Sequence, residues 1–278
     1  MPDYRKPLVQ LHREWHGCMH CGLGQKREDS GGRQAFGEGR TGGIMWIGEG
    51  PGSVESEHGR PFIGPAGTVL RKAINRLGLA ECSYISNVVI CRSFGPRYDN
   101  QGQPMTAFNR RTKMREPVLQ DEAPPNEAVN ACLNRLYEEI YLVDPVLIVA
   151  LGGEASKALM RRAVKVTEKR GTTAEIQVPG VWTVPDLTNK GNWERKYKGA
   201  VNYPTSQNYV GYLMFTTLHP AHVLRSQADR AHGNPLQVFI EDLHFITDTY
   251  YRYVKESFGI DSVRLKHLVP NDIIEEAV

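Results

Sequence analysis

The sequence predicts an α/β protein, a three-layer α/β/α sandwich with a central four-stranded parallel sheet. Four apolar runs rich in β-branched residues recur along the chain and predict buried strands at residues 43–48, 84–91, 145–152 and 213–218. Between and after these runs, Leu, Ala and Ile recur at three- and four-residue spacing, which predicts helices at residues 66–79, 126–142, 154–163 and 236–253. Strands and helices that alternate in this way form a parallel sheet with helices on both faces.

Residues 1–256 are predicted to form a single domain, followed by a C-terminal extension at residues 257–278. Two long connections interrupt the alternation, at about residues 92–125 and 161–212. The first is polar and basic, which predicts an exposed loop that either touches phosphates or is a solvated insertion. The second has no clear period and is interpreted as a hairpin and a loop. It contains the aromatic residues Trp182, Trp193, Tyr197 and Tyr203.

The composition excludes several classes of protein. With 40% hydrophobic and 23% charged residues, the 278-residue chain can bury a core and is not a disordered tail. Its longest apolar runs are far shorter than the roughly 20 residues of a membrane span, and the N-terminus lacks the apolar segment of a signal peptide. We therefore expect a cytoplasmic monomer without membrane attachment. The net charge of +3 permits nucleic acid as a partner without requiring it.

The segments that follow the predicted strands contain candidate functional residues, because parallel sheets bind ligands beyond the carboxyl ends of their strands. The stretch 48–67 is rich in glycine and proline, so its backbone N–H groups can approach a ligand closely. Glu49 and Glu55 in this stretch are candidates for a general base or a water-positioning group. Neither the P-loop motif nor the GxGxxG motif occurs there, which disfavours a P-loop nucleotide-binding protein.

Five cysteines are too few for a disulfide scaffold at this length, and the close pair Cys18 and Cys21 indicates metal binding in a reducing compartment. Thiolates bind zinc and iron–sulfur clusters alike, so the residues alone leave both open and favour structural zinc. Cys82 is interpreted as a small buried residue rather than a ligand.

Four motifs in order resemble those of family 4 uracil-DNA glycosylases. They are GEGPG at 48–52, GRPFIGPAG at 59–67, NVVICR at 87–92 and HPAHVLR at 219–225. The resemblance covers residues 18 to about 225 and implies the α/β/α sandwich predicted above. It also implies an enzyme of base excision repair that flips uracil out of single- or double-stranded DNA and hydrolyses its N-glycosidic bond, leaving an abasic site. Because no lysine stands in these motifs, lyase activity through a Schiff base is not expected.

The resemblance implies three catalytic residues. His219 would hydrogen-bond the uracil carbonyl as negative charge develops on the departing base. Glu49 would line the site, and Glu55 is the candidate for positioning water. The alternative for His219 is a structural role in its loop.

The same resemblance implies the residues that bind uracil. Asn87 would pair with the uracil edge through one donor and one acceptor, which favours uracil over cytosine. Phe62 would stack on the flipped base, although a core phenylalanine is the alternative. The backbone of Glu49, Gly50 and Pro51 would bind the uracil carbonyls and exclude a thymine methyl group.

The resemblance further implies a DNA-binding segment after His219. Val223 or Leu224 would act as a wedge that fills the vacated stack, and Arg225 would lie near a phosphate. Family members often have an aromatic residue where His222 stands here, and this difference bears on the same contacts.

A [4Fe-4S] cluster is the cofactor that the resemblance implies. Its ligands would be Cys18, Cys21, Cys91 and Cys132, with structural zinc on the same thiolates as the alternative. The interval between Cys91 and Cys132 is longer than in compact members of the family, because the basic connection lies between them. Two other functions stay open, namely the same fold acting on another deaminated base and a non-catalytic DNA-binding module.

Overall fold

The computed structural model describes residues 5–179, 209–226 and 234–258. In chain order, its strands are β1 (Glu38–Gly39), β2 (Ile44–Gly48), β3 (Ser83–Asn87), β4 (Phe94–Pro96), β5 (Thr106–Asn109), β6 (Met114–Pro117), β7 (Leu119–Asp121), β8 (Leu147–Leu151), β9 (Thr173–Pro179) and β10 (Tyr209–Thr217). The α-helices are α1 (Arg5–Trp15), α2 (Gly22–Asp29), α3 (Ser53–His58), α4 (Pro65–Arg76), α5 (Asn126–Val143), α6 (Gly153–Met160), α7 (Val166–Lys169), α8 (Pro220–Arg225) and α9 (Pro235–Phe258).

The central sheet contains six strands in the order β1, β3, β2, β8, β10, β9. Its four inner strands are parallel to one another, which confirms the predicted four-stranded parallel core. Two antiparallel strands extend it at the edges, namely β1, which was not predicted, and β9, which lies in the connection predicted to contain a hairpin.

Helices cover both faces of the sheet, which confirms the three-layer sandwich. Successive side chains of a strand point to opposite faces. Met45 and Ile47 accordingly pack in the cluster formed with α1, α5 and α6. Ile44 and Trp46 pack in the other cluster, with α4, α8 and α9. Every residue of β2, β3 and β8 is buried, which explains why these strands have continuous apolar runs without alternation.

Strand β3 ends at Asn87, four residues earlier than the apolar run 84–91 predicts. Residues 88–91 remain buried because they cross into the core between the sheet and α5. There the carbonyl of Ile90 accepts a hydrogen bond from the amide of Ala35 (2.9 Å). Burial without strand geometry therefore produced the same sequence pattern as a strand.

A buried ion pair within helix α5 binds β3 through a hydrogen bond from Ser86. Arg135 and Glu139 have no solvent exposure, and Nη1 of Arg135 lies 2.5 Å from Oε2 of Glu139. Ser86 donates to the same carboxylate (2.6 Å). Although burial alone would raise the pKa of Glu139, the charge of Arg135 and nearby His12 lower it to about 2. The carboxylate therefore stays ionised inside the core.

The connection at 92–125 is folded, which corrects the prediction of an exposed loop. Strands β4 and β7 pair antiparallel, and so do β5 and β6. We call residues 94–121 the β-arm. Its strands are short and mostly exposed, so they lack the alternation of apolar and polar residues that would have marked them in the sequence.

The connection at 161–212 contains the predicted hairpin partners, since β9 pairs with β10 over seven residue pairs. Its aromatic residues Trp182, Trp193, Tyr197 and Tyr203 lie outside the described residues, as does the extension after Phe258. The predicted single domain and C-terminal extension therefore stay predictions. None of the helices in the described part of the chain is both long and apolar enough to cross a bilayer. The cytoplasmic location stays a prediction.

Replacing Arg135 with Met is expected to destabilise the protein strongly, because it leaves the Glu139 carboxylate buried and unpaired. We expect a loss of about 3–5 kcal/mol in the free energy of unfolding at pH 7, measured by urea denaturation. Lys165→Ala, which removes one partner of the exposed pair Lys165–Glu168, is the control and should change stability by less than about 1 kcal/mol. Equal effects of the two substitutions would contradict a structural role for the buried pair.

Candidate active site at the carboxyl edge of the sheet

The candidate residues converge where the four parallel strands end. Asn87 closes β3, Gly48 closes β2, Gly152 follows β8, and His219 lies two residues after β10. Because these strands are neighbours and point the same way, their ends form one edge of the sheet. The sequence prediction that this edge contains the site is therefore consistent with the topology.

Asn87 has a buried amide without a partner. The residue is 1% exposed, and neither Oδ1 nor Nδ2 forms a hydrogen bond among the described residues. Arg135 holds its backbone, since Nη2 of Arg135 donates to the Asn87 carbonyl at 2.6 Å. Buried polar side chains nearly always have hydrogen-bond partners, so an orphaned donor and acceptor in one amide point to a ligand. The amide also lies so close to Gly48 that a Cβ there would stand 2.6 Å from Oδ1.

Phe62 lies beside Asn87 in a strained backbone conformation. Its φ of 52° falls in the left-handed region, where a non-glycine residue costs about 1–3 kcal/mol. Its ring is 5% exposed, and its centroid lies 5.9 Å from that of His219. A Cβ on Gly48 would collide with this ring as well as with Asn87. Phe62, Asn87 and His219 therefore surround one space.

Arg71 holds the strained loop. Its guanidinium donates to the carbonyls of Phe62 and Pro61, both at 2.8 Å, and pairs with Glu38 at 2.6 Å. These bonds fix the backbone that presents the Phe62 ring. The sequence analysis missed Arg71, because a single arginine on a helix has no pattern that distinguishes it from a solvated one.

His219 is the N-cap of α8, and its ring is neutral at pH 7. Its Nδ1 accepts a hydrogen bond from the amide of Ala221 (3.1 Å), so the proton of the neutral ring is on Nε2. Burial lowers the pKa of His219 to about 4, and the charges of Arg225 and His222 act in the same direction. Gly152 has a φ of 91°, and a Cβ added to it would lie 2.9 Å from the Cβ of His219. The glycine therefore leaves room for the histidine side chain.

The two candidate glutamates have different surroundings. Glu49 is half-buried, and burial together with the charge of Glu154 raises its pKa to about 7, although Arg225 and Lys157 act in the opposite direction. Glu55 is buried, and its Oε1 accepts hydrogen bonds from the amides of Ile63 (3.0 Å) and Gly64 (2.7 Å).

These bonds brace the loop before α4 and occupy an oxygen that the sequence analysis assigned to water. Both bonds are to Oε1, so the predicted water-positioning role of Glu55 stays a prediction, as does the role of Glu49.

The remaining predicted site residues differ in exposure. Gly50 and Pro51 lie next to Glu49, and a Cβ on Gly50 would stand 2.8 Å from Cγ2 of Val89. Val223 is fully buried in the core with α4 and α9, so its predicted role as a wedge is corrected. Leu224 on the same short helix is half-buried and packs against that core, and Arg225 is exposed.

Four cysteines from distant parts of the chain lie close together. Cys18 and Cys21 precede α2, Cys91 follows β3, and Cys132 is on α5. All are free thiols. Burial raises the pKa of Cys91 to about 12 and that of Cys132 to about 11, and the charges of the neighbouring cysteines act in the same direction. Cys82 is apart from them, on the face covered by α4 and α9.

No group of three or more His, Cys, Asp or Glu side chains in the described part of the chain is arranged to hold a metal ion. The mutual electrostatic effect of the four thiols nevertheless places them around one region. Four thiols are a donor set that fits an iron–sulfur cluster, and they fit structural zinc as well.

Two further residues escaped the sequence analysis. Arg135 on α5 has already been described. Asp242 on α9 is 2% exposed, accepts a hydrogen bond from Thr217 at the end of β10 (2.7 Å) and pairs with Arg170 (3.1 Å). Both residues fix strand ends that lead into the site. Their only sequence signal is a charged residue inside an apolar helical pattern.

Comparison with known proteins agrees with this geometry. A family model described as the uracil DNA glycosylase superfamily matches residues 36–244. A type-4 uracil-DNA glycosylase of Pyrobaculum aerophilum is 36% identical over 180 residues, which cover 63% of this chain and 77% of the relative.

The enzyme of the same name from Thermotoga maritima is 35% identical over 130 residues, 46% of this chain and 55% of the relative. That from Sulfurisphaera tokodaii is 29% identical over 157 residues, 56% of this chain and 59% of the relative. The chain thus matches little more than half the length of these two relatives.

Proposed function

The chain belongs to the uracil-DNA glycosylase superfamily, and we propose that it hydrolyses the N-glycosidic bond of uracil in DNA and leaves an abasic site. The observation that carries the proposal is the buried, unpartnered amide of Asn87 beside Phe62 and His219. We further propose that it acts as a monomer on single- or double-stranded DNA.

Recognition of uracil follows from the chemistry of the Asn87 amide. The uracil edge presents a donor at N3 and an acceptor at O4, and a side-chain amide offers the complementary acceptor and donor. Cytosine presents the reverse pair, an acceptor at N3 and an amino donor at C4. An amide oriented to bind uracil would therefore place its N–H group against the cytosine amino group and its oxygen against N3. A buried polar group left unpaired costs about 1–3 kcal/mol, which disfavours the wrong base. Phe62 would stack on the base once it has left the duplex.

His219 would stabilise the departing base. When the bond between C1′ and N1 breaks, its electron pair moves onto the uracil ring and increases the negative charge on O2. The Nε2–H of the neutral His219 ring would donate a hydrogen bond to that oxygen. The low pKa of His219 supports this role, because the ring keeps the same tautomer throughout the neutral pH range.

Glu49 would act on the water that attacks C1′. The sugar develops positive charge as the base leaves, and an ionised carboxylate both stabilises that charge and accepts a proton from the water. Its pKa of about 7 suits a general base near neutral pH. The hydrogen bonds of Glu55 to Ile63 and Gly64 support a positioning role for Glu55, through the loop that presents Phe62.

Leu224 and Arg225 would contact DNA. Arg225 is exposed, and its charge acts on both Glu49 and His219, so a phosphate beside it would lie next to the reacting sugar. Leu224, the more exposed of the two predicted wedge residues, would fill the space left by the flipped base.

We propose that Cys18, Cys21, Cys91 and Cys132 hold a [4Fe-4S] cluster. Such a cluster would cross-link α2, the end of β3 and α5, and thus stabilise the elements behind Asn87. It would supply structure to the site rather than a group that touches the sugar. Structural zinc on the same thiolates is the alternative.

Uracil excision is tested with oligonucleotides that contain one uracil, either single-stranded or opposite A or G, followed by alkali. We expect alkali-labile sites from the wild type and a loss of about 10²–10³-fold in rate for Asn87→Ala and for His219→Ala. Asn75→Ala, which removes an exposed amide near the end of α4, is the matched control and should cleave like the wild type. Absence of cleavage on every uracil substrate would overturn the proposal and favour another deaminated base.

The pH dependence tests the role of Glu49. Because the carboxylate must be ionised to accept a proton, we expect the single-turnover rate to rise with pH through a midpoint near 7 and then level off. Glu154→Gln should lower the midpoint, since the charge of Glu154 raises the pKa of Glu49. Lys157→Ala should raise it for the opposite reason. If neither substitution moves the midpoint, the rise of the rate with pH comes from the titration of a group other than Glu49.

Metal analysis tests the cofactor. Protein purified without oxygen should contain iron and acid-labile sulfide in equal amounts, and Cys132→Ala should lower both. Cys82→Ala is the control, because Cys82 lies on the opposite face of the sheet, and it should retain the full content. Stoichiometric zinc without sulfide would establish the alternative.

A further inference from the structure

The β-arm leaves the body of the protein next to the candidate site. It starts shortly after Cys91, in the segment that follows β3, and returns before α5. Its base is held by the ion pair of Arg92 with Asp121 (2.6 Å) and by Lys26, which lies 4.9 Å from the centre of the Phe94 ring. A Cβ on Gly52, the residue after Pro51, would stand 3.2 Å from Oδ2 of Asp121. The arm therefore borders the site.

The sheet order places the arm and helix α8 on opposite sides of the site. The arm follows β3, and α8 follows β10. Strands β2 and β8 lie between these two. A polymer that contacts Leu224 and Arg225 on α8 and continues across the site would therefore meet the arm next.

The arm concentrates positive charge. The β-arm, residues 94–121, contains five basic and three acidic residues, so it holds a net charge of +2 out of +3 for the whole chain. Of the three acidic residues, Asp121 pairs with Arg92 at the base, Glu116 accepts hydrogen bonds at the tip, and Asp99 accepts hydrogen bonds from the amides of Gln101 and Gln103, both at 2.9 Å. The five basic side chains are all exposed; they are Arg97, Arg110, Arg111, Lys113 and Arg115. Outside this segment the chain is close to neutral.

The tip of the arm is ordered by polar side chains other than the basic ones. Glu116 accepts hydrogen bonds from Nδ2 of Asn109 (2.7 Å) and from the hydroxyl of Thr112 (2.6 Å), which closes the turn between β5 and β6. Arg110 and Lys113 form no salt bridge within the described residues. A preformed tip with unpaired cations binds an anionic partner without a large cost of ordering.

Large apolar side chains lie exposed among these charges. Phe108 is 58% exposed, Tyr98 54% and Met114 63%. Exposed aromatic rings between arginines match single nucleic acid strands, because the rings stack on bases while the cations neutralise phosphates. The charge and the rings together favour DNA over a folded protein as the partner of this surface.

We propose that the β-arm is a second DNA-contacting surface, on which Arg110 and Lys113 bind backbone phosphates on the side of the site opposite α8. The proposal rests on the proposed function only for the identity of the polymer. It assigns a role to the insertion that separates Cys91 from Cys132, and it implies that DNA is held on both sides of the base to be excised.

The test measures affinity for a labelled undamaged duplex over a range of salt concentrations. Each lost phosphate contact lowers the slope of log K against log salt by about 0.9, so Arg110→Ala/Lys113→Ala should lower it by about 1.8. The control is Arg40→Ala/Arg76→Ala, which removes the same charge from exposed positions near the amino ends of β2 and β3. Its slope should match that of the wild type.

Two outcomes overturn the proposal. One is a tip variant with the slope of the wild type, and the other is an equal loss in both variants, which would mean a general charge effect. The readout is independent of uracil excision, because the duplex contains no uracil. A protein that excises uracil but shows no arm-dependent slope would retain the proposed function and lose this inference. Arm-dependent binding without uracil excision would support this inference and overturn the proposed function.

Discussion

The buried guanidinium of Arg135 connects helix α5 to the end of β3, and the position of Asn87 depends on it. It pairs with Glu139 on its own helix and donates to the carbonyls of Asn87 and Val88. These bonds satisfy the backbone where β3 ends, so the Asn87 side chain needs no contact with its own protein. Because removal of a buried charge partner is costly, the same arginine that stabilises the core also holds the backbone of Asn87.

Close approach is the second constraint on the site. Gly48 and Gly152 stand where a Cβ would collide with Asn87, Phe62 or His219. Phe62 adopts a left-handed backbone that Arg71 stabilises through two carbonyls. The absent side chains give Phe62, Asn87 and His219 the room to lie next to one another.

Burial shifts the two catalytic candidates toward the forms that the reaction needs. It lowers the pKa of His219, which keeps a proton on Nε2 of a neutral ring, and it raises the pKa of Glu49 toward neutrality. One physical cause thus suits both residues to the roles proposed for them, His219 as a hydrogen-bond donor and Glu49 as a general base. The β-arm adds charge outside this space, where screening by water is stronger and the effect is on binding rather than on bond cleavage.

The amino-acid sequence by itself determined the parallel core, the edge that contains the site and the identity of Asn87, Phe62 and His219. The core and the edge follow from apolar runs, which are local properties of a chain, whereas the three residues were identified through the resemblance of four motifs to a known family. Strand β3 was predicted too long because residues 88–91 are buried without being a strand, and the β-arm was taken for a loop because its strands are exposed.

Only the tertiary structure decided that Oε1 of Glu55 binds the loop before α4, that Val223 is buried and that Arg71 and Arg135 hold the backbone of Phe62 and Asn87. The physical reason is that occupancy and burial depend on partners far away in the chain, which no local pattern records.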